Sequence, residues 1–171
     1  MEFTRTALSA AGFMGFVRIA ELPTTDVPQG PGVCVVLRTG VSPAAYLPTS
    51  GAGWFKNKTP TVALASLEAA WVDEAAVLYI GKAGVGARGN RGLRKRLSEY
   101  KRFGAGEKIG HWGGRYIWQL VDQAELLVAW KSVVNVDPED VEAEMLDAFV
   151  ARFGVRPFAN RKLGRSARMR L

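Results

Sequence analysis

The stretch that most constrains the fold is residues 77–82, together with the glycine-rich segment and the basic helix that follow it. The run Val-Leu-Tyr-Ile ends in a glycine, and a short apolar run bounded by glycine predicts a buried strand. After the glycines of residues 84–92, Leu93, Leu97 and Tyr100 lie at positions i, i+4 and i+7. This is the spacing of one face of a helix, so a strand, a loop and an amphipathic helix are expected in succession.

Arg96 is the first functional signal in that helix. It lies three residues after Leu93 and four before Tyr100, so its side chain borders the apolar face, whereas Arg94 and Lys95 can point outward. A guanidinium at the margin of an apolar face is either paired with an acid or available to bind an anion. The sequence leaves both alternatives open.

The distribution of charge favours a polyanionic partner. The 171 residues carry a net charge of +7. Residues 82–116 contain ten Lys or Arg against two acids, and residues 152–171 contain seven more and no acid. An acidic block, residues 137–147, lies between these two basic tracts. Two basic tracts around a carboxylate-rich helix suit a phosphate-binding site with a metal ion, while a basic domain that binds nucleic acid only non-specifically is the plain alternative.

Other segments have recognisable patterns. Strands are expected at 32–38, 116–120 and 126–134, and helices at 62–72 and from Asp137 to about Phe153 with a stop at Gly154. Residues 1–22 are expected to form a helix or arm packed on the domain, and residues 39–61 a long loop. No apolar run is long enough to span a bilayer, so a cytoplasmic protein is expected.

Two chemical classes are excluded by composition and context. Cys34 is the single cysteine, which excludes a disulfide framework and a cysteine zinc cluster. The string Gly84-x-Gly86-x-x-Gly89 matches the dinucleotide fingerprint, but arginines follow it and no second strand ending in an acid appears. A dinucleotide site is therefore rejected.

Glu142 is the most informative acid. It shares a helix face with Met145, Leu146 and Phe149, whereas Glu144 lies elsewhere around the helix. Glu139 and Asp147 are likewise expected on a solvated face. A carboxylate that borders the core is costly unless it is paired or bound to a metal ion. A salt bridge from Glu142 to Arg96 is the structural alternative.

Taken in chain order, several motifs of this sequence resemble those of the GIY-YIG nuclease superfamily. The resemblance is to the N-terminal nuclease domain of the incision subunit of nucleotide-excision repair in particular. In that domain a Tyr-Val/Ile-Gly-Lys-Ala strand leads to a Leu-x-Lys-Arg-Leu-Ser-x-Tyr helix. The matches here are Gly32-Val33-Cys34 and Tyr79-Ile80-Gly81 to the two half-motifs, Arg96 and Tyr100 to the helix, Glu142 to Glu-x-x-Met-Leu-x-x-Phe, and Pro157-x-x-Asn160 to the closing asparagine motif.

The resemblance covers residues 32–160, interrupted by residues 39–75, and it departs from the family in two places. Cys34 stands where the first half-motif has a tyrosine whose hydroxyl contributes to the active site, which puts activity in doubt. The spacing from Gly81 to Arg96 is also longer. The implied fold is α/β (α+β): a small, mainly antiparallel three-stranded sheet flanked by helices. Residues 1–171 would form one domain with an N-terminal arm (1–31), an insertion (39–75) and a basic tail (161–171).

The function that the resemblance implies is metal-dependent endonucleolytic hydrolysis of phosphodiester bonds, with DNA the expected nucleic acid and Mg²⁺, or another divalent cation such as Mn²⁺, as cofactor. Glu142 would bind the metal ion, Arg96 would hold the scissile phosphate, and Tyr79 or Tyr100 would orient or deprotonate water. Asn160 would fix the geometry by hydrogen bonding. The alternative is a binding module of the same fold that has lost catalysis, which Cys34 favours.

Five residues are expected to contact nucleic acid: Lys82, Arg94, Lys95, His111 and Trp54. His111 lies in the glycine-rich loop 104–114, where a histidine is usually exposed but could act as a base or contact a phosphate. Trp54, with Phe55 and Lys56 beside it, either stacks on unpaired bases or pins the long loop to the domain. Both readings stay open.

Overall fold

The computed structural model describes residues 1–161 as a four-stranded antiparallel sheet with helices on both faces. The strands are β1 (Met14–Arg18), β2 (Gly32–Leu37), β3 (Val77–Ala83) and β4 (Leu127–Ser132), and the α-helices are α1 (Arg5–Ala10), α2 (Leu64–Ala70), α3 (Leu93–Gly104) and α4 (Pro138–Phe153). Short 3-10 helices span Ile19–Thr24, Arg115–Gln119 and Gln123–Glu125. Apart from Arg161, the expected basic tail (161–171) lies outside the described residues.

The sheet contains four strands in the order β1-β4-β2-β3, so the expectation of three strands is wrong. The additional strand is β1, which pairs antiparallel with β4 in a region expected to be a helix or arm. Its pattern is hard to recognise because a bulge separates Gly15 from Val17, and Gly15 and Phe16 both have positive φ angles of 93° and 56°. The bulge breaks the alternation by which a strand is recognised.

The strand expected at residues 116–120 is a 3-10 helix, Arg115–Gln119. Four consecutive side chains, those of Tyr116, Ile117, Trp118 and Gln119, are buried, and Gly114 before them has a left-handed backbone. A short apolar run that is buried on all sides carries no periodicity, so a strand and a short helix are indistinguishable in sequence.

The interior of the sheet explains the unbroken apolar run of β2. This strand lies between β3 and β4 and is buried on both faces. Cys34 and Val36 face the cluster that contains Leu97 of α3, while Val33 and Val35 face the one that contains α4. The predictions of β2, β3 and β4 are confirmed to within a few residues.

Local signals also set the ends of α4, as predicted. The Asp137 carboxylate accepts a hydrogen bond of 2.8 Å from the Glu139 backbone N–H, Pro138 occupies the first helical position, and Gly154 ends the helix with φ 74°. Within residues 1–161, no helix has both the length and the apolar character that crossing a membrane would require.

The segment between β2 and β3 is tied down at both ends of its long loop. The buried Gln119 amide donates to the carbonyls of Leu47 (3.0 Å) and Val62 (2.9 Å) and accepts from the Val62 N–H (2.9 Å). The Gly53 N–H donates to the Phe103 carbonyl at the end of α3 (2.8 Å). This segment therefore packs beside α3, on the side of the sheet that carries Tyr79.

Candidate active site

The Tyr79 ring occupies a slot formed by glycines. It lies across Gly81 of the same strand, where a Cβ atom would be 2.8 Å from Tyr79 Cε1. On the other side, Cβ atoms at Gly113 and Gly114 would lie 3.3 Å from its hydroxyl and 3.2 Å from its Cε2. Side chains at these three positions would push the ring aside, so the glycines define where the hydroxyl points.

Arg96 projects from α3 towards Tyr79, where its positive charge favours the ionised form of the phenol. Its charge also acts on Cys34, His111 and Glu142. Among residues 1–161 no carboxylate forms a salt bridge with Arg96. Of the two alternatives left open by the sequence, a salt bridge is not formed within the described residues, so the guanidinium is available to an anion.

Burial keeps both tyrosines of the site protonated. Desolvation raises the pKa of Tyr79 to about 12, although Arg96 acts in the opposite direction. Burial likewise raises the pKa of Tyr100, whose ring stacks on Tyr79 with centroids 6.0 Å apart. The Tyr100 hydroxyl points at the Gly114 carbonyl (3.4 Å). Tyr100 is enclosed and supports the Tyr79 ring, whereas Tyr79 lies closer to the charge of Arg96.

Cys34 lies opposite Gly81 in the pairing of β2 with β3. Its thiol is buried, and burial raises its pKa to about 12 despite the opposing effects of Arg96 and of a hydrogen bond with the Gly81 backbone. A thiol with this pKa is neither a nucleophile nor a thiolate ligand at neutral pH. Cys34 thus provides a small neutral side chain beside Tyr79.

Glu142 points from α4 towards the edge strand β3. Burial raises the pKa of its carboxyl group, while Lys82, Arg96 and a hydrogen bond from the Lys82 backbone lower it. Glu144 is exposed. Lys82 itself forms a salt bridge of 2.7 Å with Glu139, so the expectation that Glu139 simply faces solvent is wrong. Glu142 is therefore the half-buried carboxylate of α4 whose charge interacts with that of Arg96.

The donor set determines which metal ion fits. Within the described part of the chain, no three His, Cys, Asp or Glu side chains are grouped as a metal cluster. This does not suit zinc, which takes three or four protein ligands. Mg²⁺ needs only one or two carboxylates, with water and substrate phosphate as its other ligands. The desolvated carboxylate of Glu142, with Glu139 close enough to influence it, fits that requirement.

His111 is buried, with 2% of its surface exposed, so the expectation of an exposed loop histidine is wrong. Its ring lies 4.6 Å from that of Tyr100 and 6.4 Å from that of Phe103, because the loop folds back onto α3. Within residues 1–161 neither ring nitrogen has a hydrogen-bond partner. Burial, reinforced by Arg96 and Arg91, lowers the pKa of His111 to about 2, so the imidazole is neutral.

Asn160 acts on the backbone of β3. Its Oδ1 accepts from the Ile80 N–H (2.9 Å) and its Nδ2 donates to the Ile80 carbonyl (2.7 Å). The Ala159 N–H donates to the Leu78 carbonyl (2.8 Å). Because both the oxygen and the nitrogen of the Asn160 amide bond to its backbone, Asn160 positions Ile80, the residue of β3 that lies between Tyr79 and Gly81.

Three expected contact residues are not brought into this cluster. Arg94 donates to the Val27 carbonyl (2.7 Å) and pairs with Asp26 (2.9 Å), which ties α3 to the connector before β2. Lys95 is exposed on α3. Trp54 is 54% exposed in the segment between β2 and β3.

The loop that precedes the Arg115–Gln119 helix was missed as part of the site. Gly113 and Gly114 line the Tyr79 slot, and Arg115 follows them directly. The signal that could have identified the loop is the adjacent pair of glycines between a tryptophan and an arginine.

No family model, curated protein or solved structure matches this chain.

Proposed function

We propose that this chain is a metal-dependent endonuclease that hydrolyses phosphodiester bonds of nucleic acid, with DNA as its substrate and a GIY-YIG-like site. The observation that carries the proposal is Arg96, a guanidinium that forms no salt bridge within residues 1–161 and whose charge acts on both Tyr79 and Glu142. The order of motifs from Gly32 to Asn160 supports the same conclusion.

Arg96 would bind the scissile phosphate, because a guanidinium matches two phosphate oxygens and stays charged at every working pH. Tyr79 would orient the attacking water. Since burial raises the pKa of Tyr79 to about 12, the phenol would act as a hydrogen-bonding group rather than as a base in this arrangement. Asn160 and Tyr100 would hold Tyr79 in position, through the backbone of β3 and through ring stacking.

Glu142 would hold a Mg²⁺ or Mn²⁺ ion, and that ion would supply charge stabilisation at the phosphate and activation of water. Lys82 pairs with Glu139 and lies close to Glu142, so its positive charge would reduce the repulsion between the two carboxylates. It would also contact the nucleic acid backbone. Arg94, Lys95 and Trp54 would contact more distant parts of the same substrate.

The second candidate function is a nucleic-acid-binding module of this fold without catalysis. The observation that favours it is Cys34, a buried and protonated thiol where the first half-motif has a tyrosine. Such a module would keep the phosphate contact of Arg96 but lack one hydroxyl of the catalytic set. It would bind DNA and leave it intact in the presence of metal ions.

The test compares Glu142→Gln with Glu144→Gln on the same helix. Wild type should nick a supercoiled plasmid in Mg²⁺ or Mn²⁺ and not in a chelator. Glu142→Gln should lose at least about 100-fold in rate, since metal-ion stabilisation is worth several kcal/mol and each 1.36 kcal/mol is tenfold. Glu144→Gln should keep the wild-type rate, because Glu144 is exposed.

Thermal unfolding of each variant shows whether a loss of rate reflects folding. Equal rates for wild type and Glu142→Gln would contradict the assignment of the metal site. A wild-type protein that binds the plasmid but never cleaves it would establish the second candidate function instead.

A further inference from the structure

Arg115 is a cation held between two aromatic rings and paired with no acid. Its guanidinium carbon lies 4.6 Å from the centroid of the Trp112 ring and 5.2 Å from that of Tyr116. Within residues 1–161 it forms neither a salt bridge nor a hydrogen bond, and its Nε is buried without an acceptor. Burial lowers the pKa of Arg115, with Tyr116 acting in the opposite direction. Because arginine remains charged regardless, its cost of desolvation is left without compensation by any acid.

Arg161 approaches the same tyrosine from another segment of the chain. Its guanidinium carbon lies 5.8 Å from the Tyr116 ring, and its Nη2 donates to the Pro157 carbonyl (3.2 Å). Burial lowers the pKa of Arg161 as well, and among the described residues it has no carboxylate partner. Two guanidiniums thus share Tyr116, although like charges repel and would normally be separated by an acid.

Chain connectivity joins the backbones of both arginines to residues of the candidate active site. Arg115 directly follows Gly114, which contacts the Tyr79 ring, and Arg161 directly follows Asn160, which brackets the Ile80 backbone. Consecutive Cα atoms are about 3.8 Å apart, so each arginine is one residue from a group that lines or supports the Tyr79 slot. The backbone of each arginine therefore adjoins a residue of the candidate active site, and both side chains extend to Tyr116.

We propose that Arg115 and Arg161, stacked on Trp112 and Tyr116, form a second phosphate site that holds a DNA phosphodiester next to the one at Arg96. The inference rests on the proposed function for the identity of the ligand. Aromatic rings fix the plane of a guanidinium and shield its flat faces from water. Its N–H groups, which lie along the edge of that plane, can then donate hydrogen bonds to an anion. A phosphodiester supplies the missing negative charge and two acceptor oxygens. Together with Arg96, the pair would grip one strand at two successive points and fix which bond reaches Tyr79.

The test measures binding of a short DNA duplex in a chelator, so that cleavage plays no part, at salt concentrations from about 50 to 200 mM. Each lost phosphate contact should reduce the slope of log affinity against log salt by about 0.9. Arg115→Ala and Arg161→Ala should each show this reduction, with about a tenfold loss of affinity at the lowest salt. Arg115→Lys should keep the slope, because it keeps the charge.

Arg5→Ala is the matched control: its guanidinium stacks on Phe16 at 5.2 Å in another part of the molecule, and it should leave the slope unchanged. Slopes for Arg115→Ala and Arg161→Ala equal to that of Arg5→Ala would overturn the proposal, as would a wild-type protein without salt-dependent binding. If Arg115→Ala does not fold, Arg161→Ala decides, since its side chain lies at the surface.

Plasmid cleavage separates this inference from the proposed function. A reduced slope in the two variants, with no cleavage by wild type, supports the second phosphate site and contradicts only the nuclease activity. Metal-dependent cleavage by wild type, with unchanged slopes, contradicts only the second phosphate site.

Discussion

Tyr79 and Arg96 show how burial governs the chemistry of single residues in this protein. The phenol is enclosed by Gly81, Gly113 and Gly114, and the resulting desolvation raises its pKa to about 12 although the charge of Arg96 opposes this rise. Arginine remains charged under the same conditions. The pair therefore presents one fixed positive charge and one oriented hydroxyl, which suits binding and orientation of a phosphate better than proton abstraction by the phenol.

His111 yields a prediction about acid stability. Its pKa is lowered to about 2 in the folded protein, whereas an unfolded histidine titrates near 6.5, so the unfolded state binds the proton more readily below pH 6.5. The free energy of unfolding should therefore decrease as pH falls from about 6.5 towards 2, by about 1.4 kcal/mol per pH unit from this group. Urea unfolding between about pH 7 and 5 measures the slope, since most carboxyl groups titrate lower.

His111→Phe is the variant that isolates this effect, because the chain contains one histidine. A phenyl ring retains the contacts with Tyr100 and Phe103 and cannot be protonated. Its free energy of unfolding should vary much less over the same pH range. Equal slopes for wild type and His111→Phe would show that the imidazole is not held neutral in the folded state.

At the scale of elements, the segment between β2 and β3 forms a tight hairpin that packs on the loop containing Gly110. Phe55 and Lys58 exchange two backbone hydrogen bonds, of 3.3 and 3.0 Å, across Lys56 and Asn57, whose φ angles are both positive. Two central residues with positive φ indicate a type I′ turn. Phe55 packs on Gly110, where a Cβ atom would lie 3.1 Å from its ring, whereas Trp54 is exposed. The two aromatic residues thus have different environments.

The hairpin predicts different outcomes for its two aromatic residues. Trp54→Ala should weaken binding of a single-stranded DNA oligonucleotide by about 1–3 kcal/mol, the usual contribution of one stacked base, and leave the unfolding temperature unchanged. Phe55→Ala should lower the unfolding temperature, because it removes the contact with Gly110. Fluorescence anisotropy and thermal unfolding of both variants provide the comparison. Unchanged affinity with lowered stability in Trp54→Ala would mean that Trp54 only anchors the loop.

At the scale of the whole molecule, the N-terminal segment belongs to the core of the domain. β1 pairs with β4, and the Phe3 ring lies 5.1 Å from that of Phe149 on α4. Phe3, Leu8 and Phe13 are all buried. Fully burying such side chains contributes about 1.5–3 kcal/mol each, which together approaches the total stability of a typical domain.

Removal of residues 1–18 should therefore unfold the domain or make it aggregate, since it exposes the edge of β4 and one side of the core. Removal of residues 1–2, which are exposed, should leave the fold intact and is the matched control. Near-ultraviolet circular dichroism and soluble yield distinguish the outcomes. A folded, monodisperse protein without residues 1–18 would show that β1 is dispensable.

The elements that the sequence determined by itself are those with local signals. Asp137, Pro138 and Gly154 mark the ends of α4 through a cap, a preset φ angle and a left-handed residue, none of which needs a tertiary contact. The apolar runs of β2 and β3 and the helical spacing of α3 are likewise local. The same spacing placed Arg96 and Glu142 at the margins of their apolar faces, and both are half-buried in the structure.

Tertiary structure alone decided the features that depend on distant residues. β1 forms because β4 offers it a partner, and its bulge conceals the alternation. His111 is buried because its loop folds onto Tyr100, which no neighbour in sequence reveals. Arg115 and Arg161 are 46 positions apart in the sequence and meet only at Tyr116. Ionisation follows the same rule, since desolvation is a property of the packed molecule rather than of the chain, and so the charge state of the site could not be deduced from residue types.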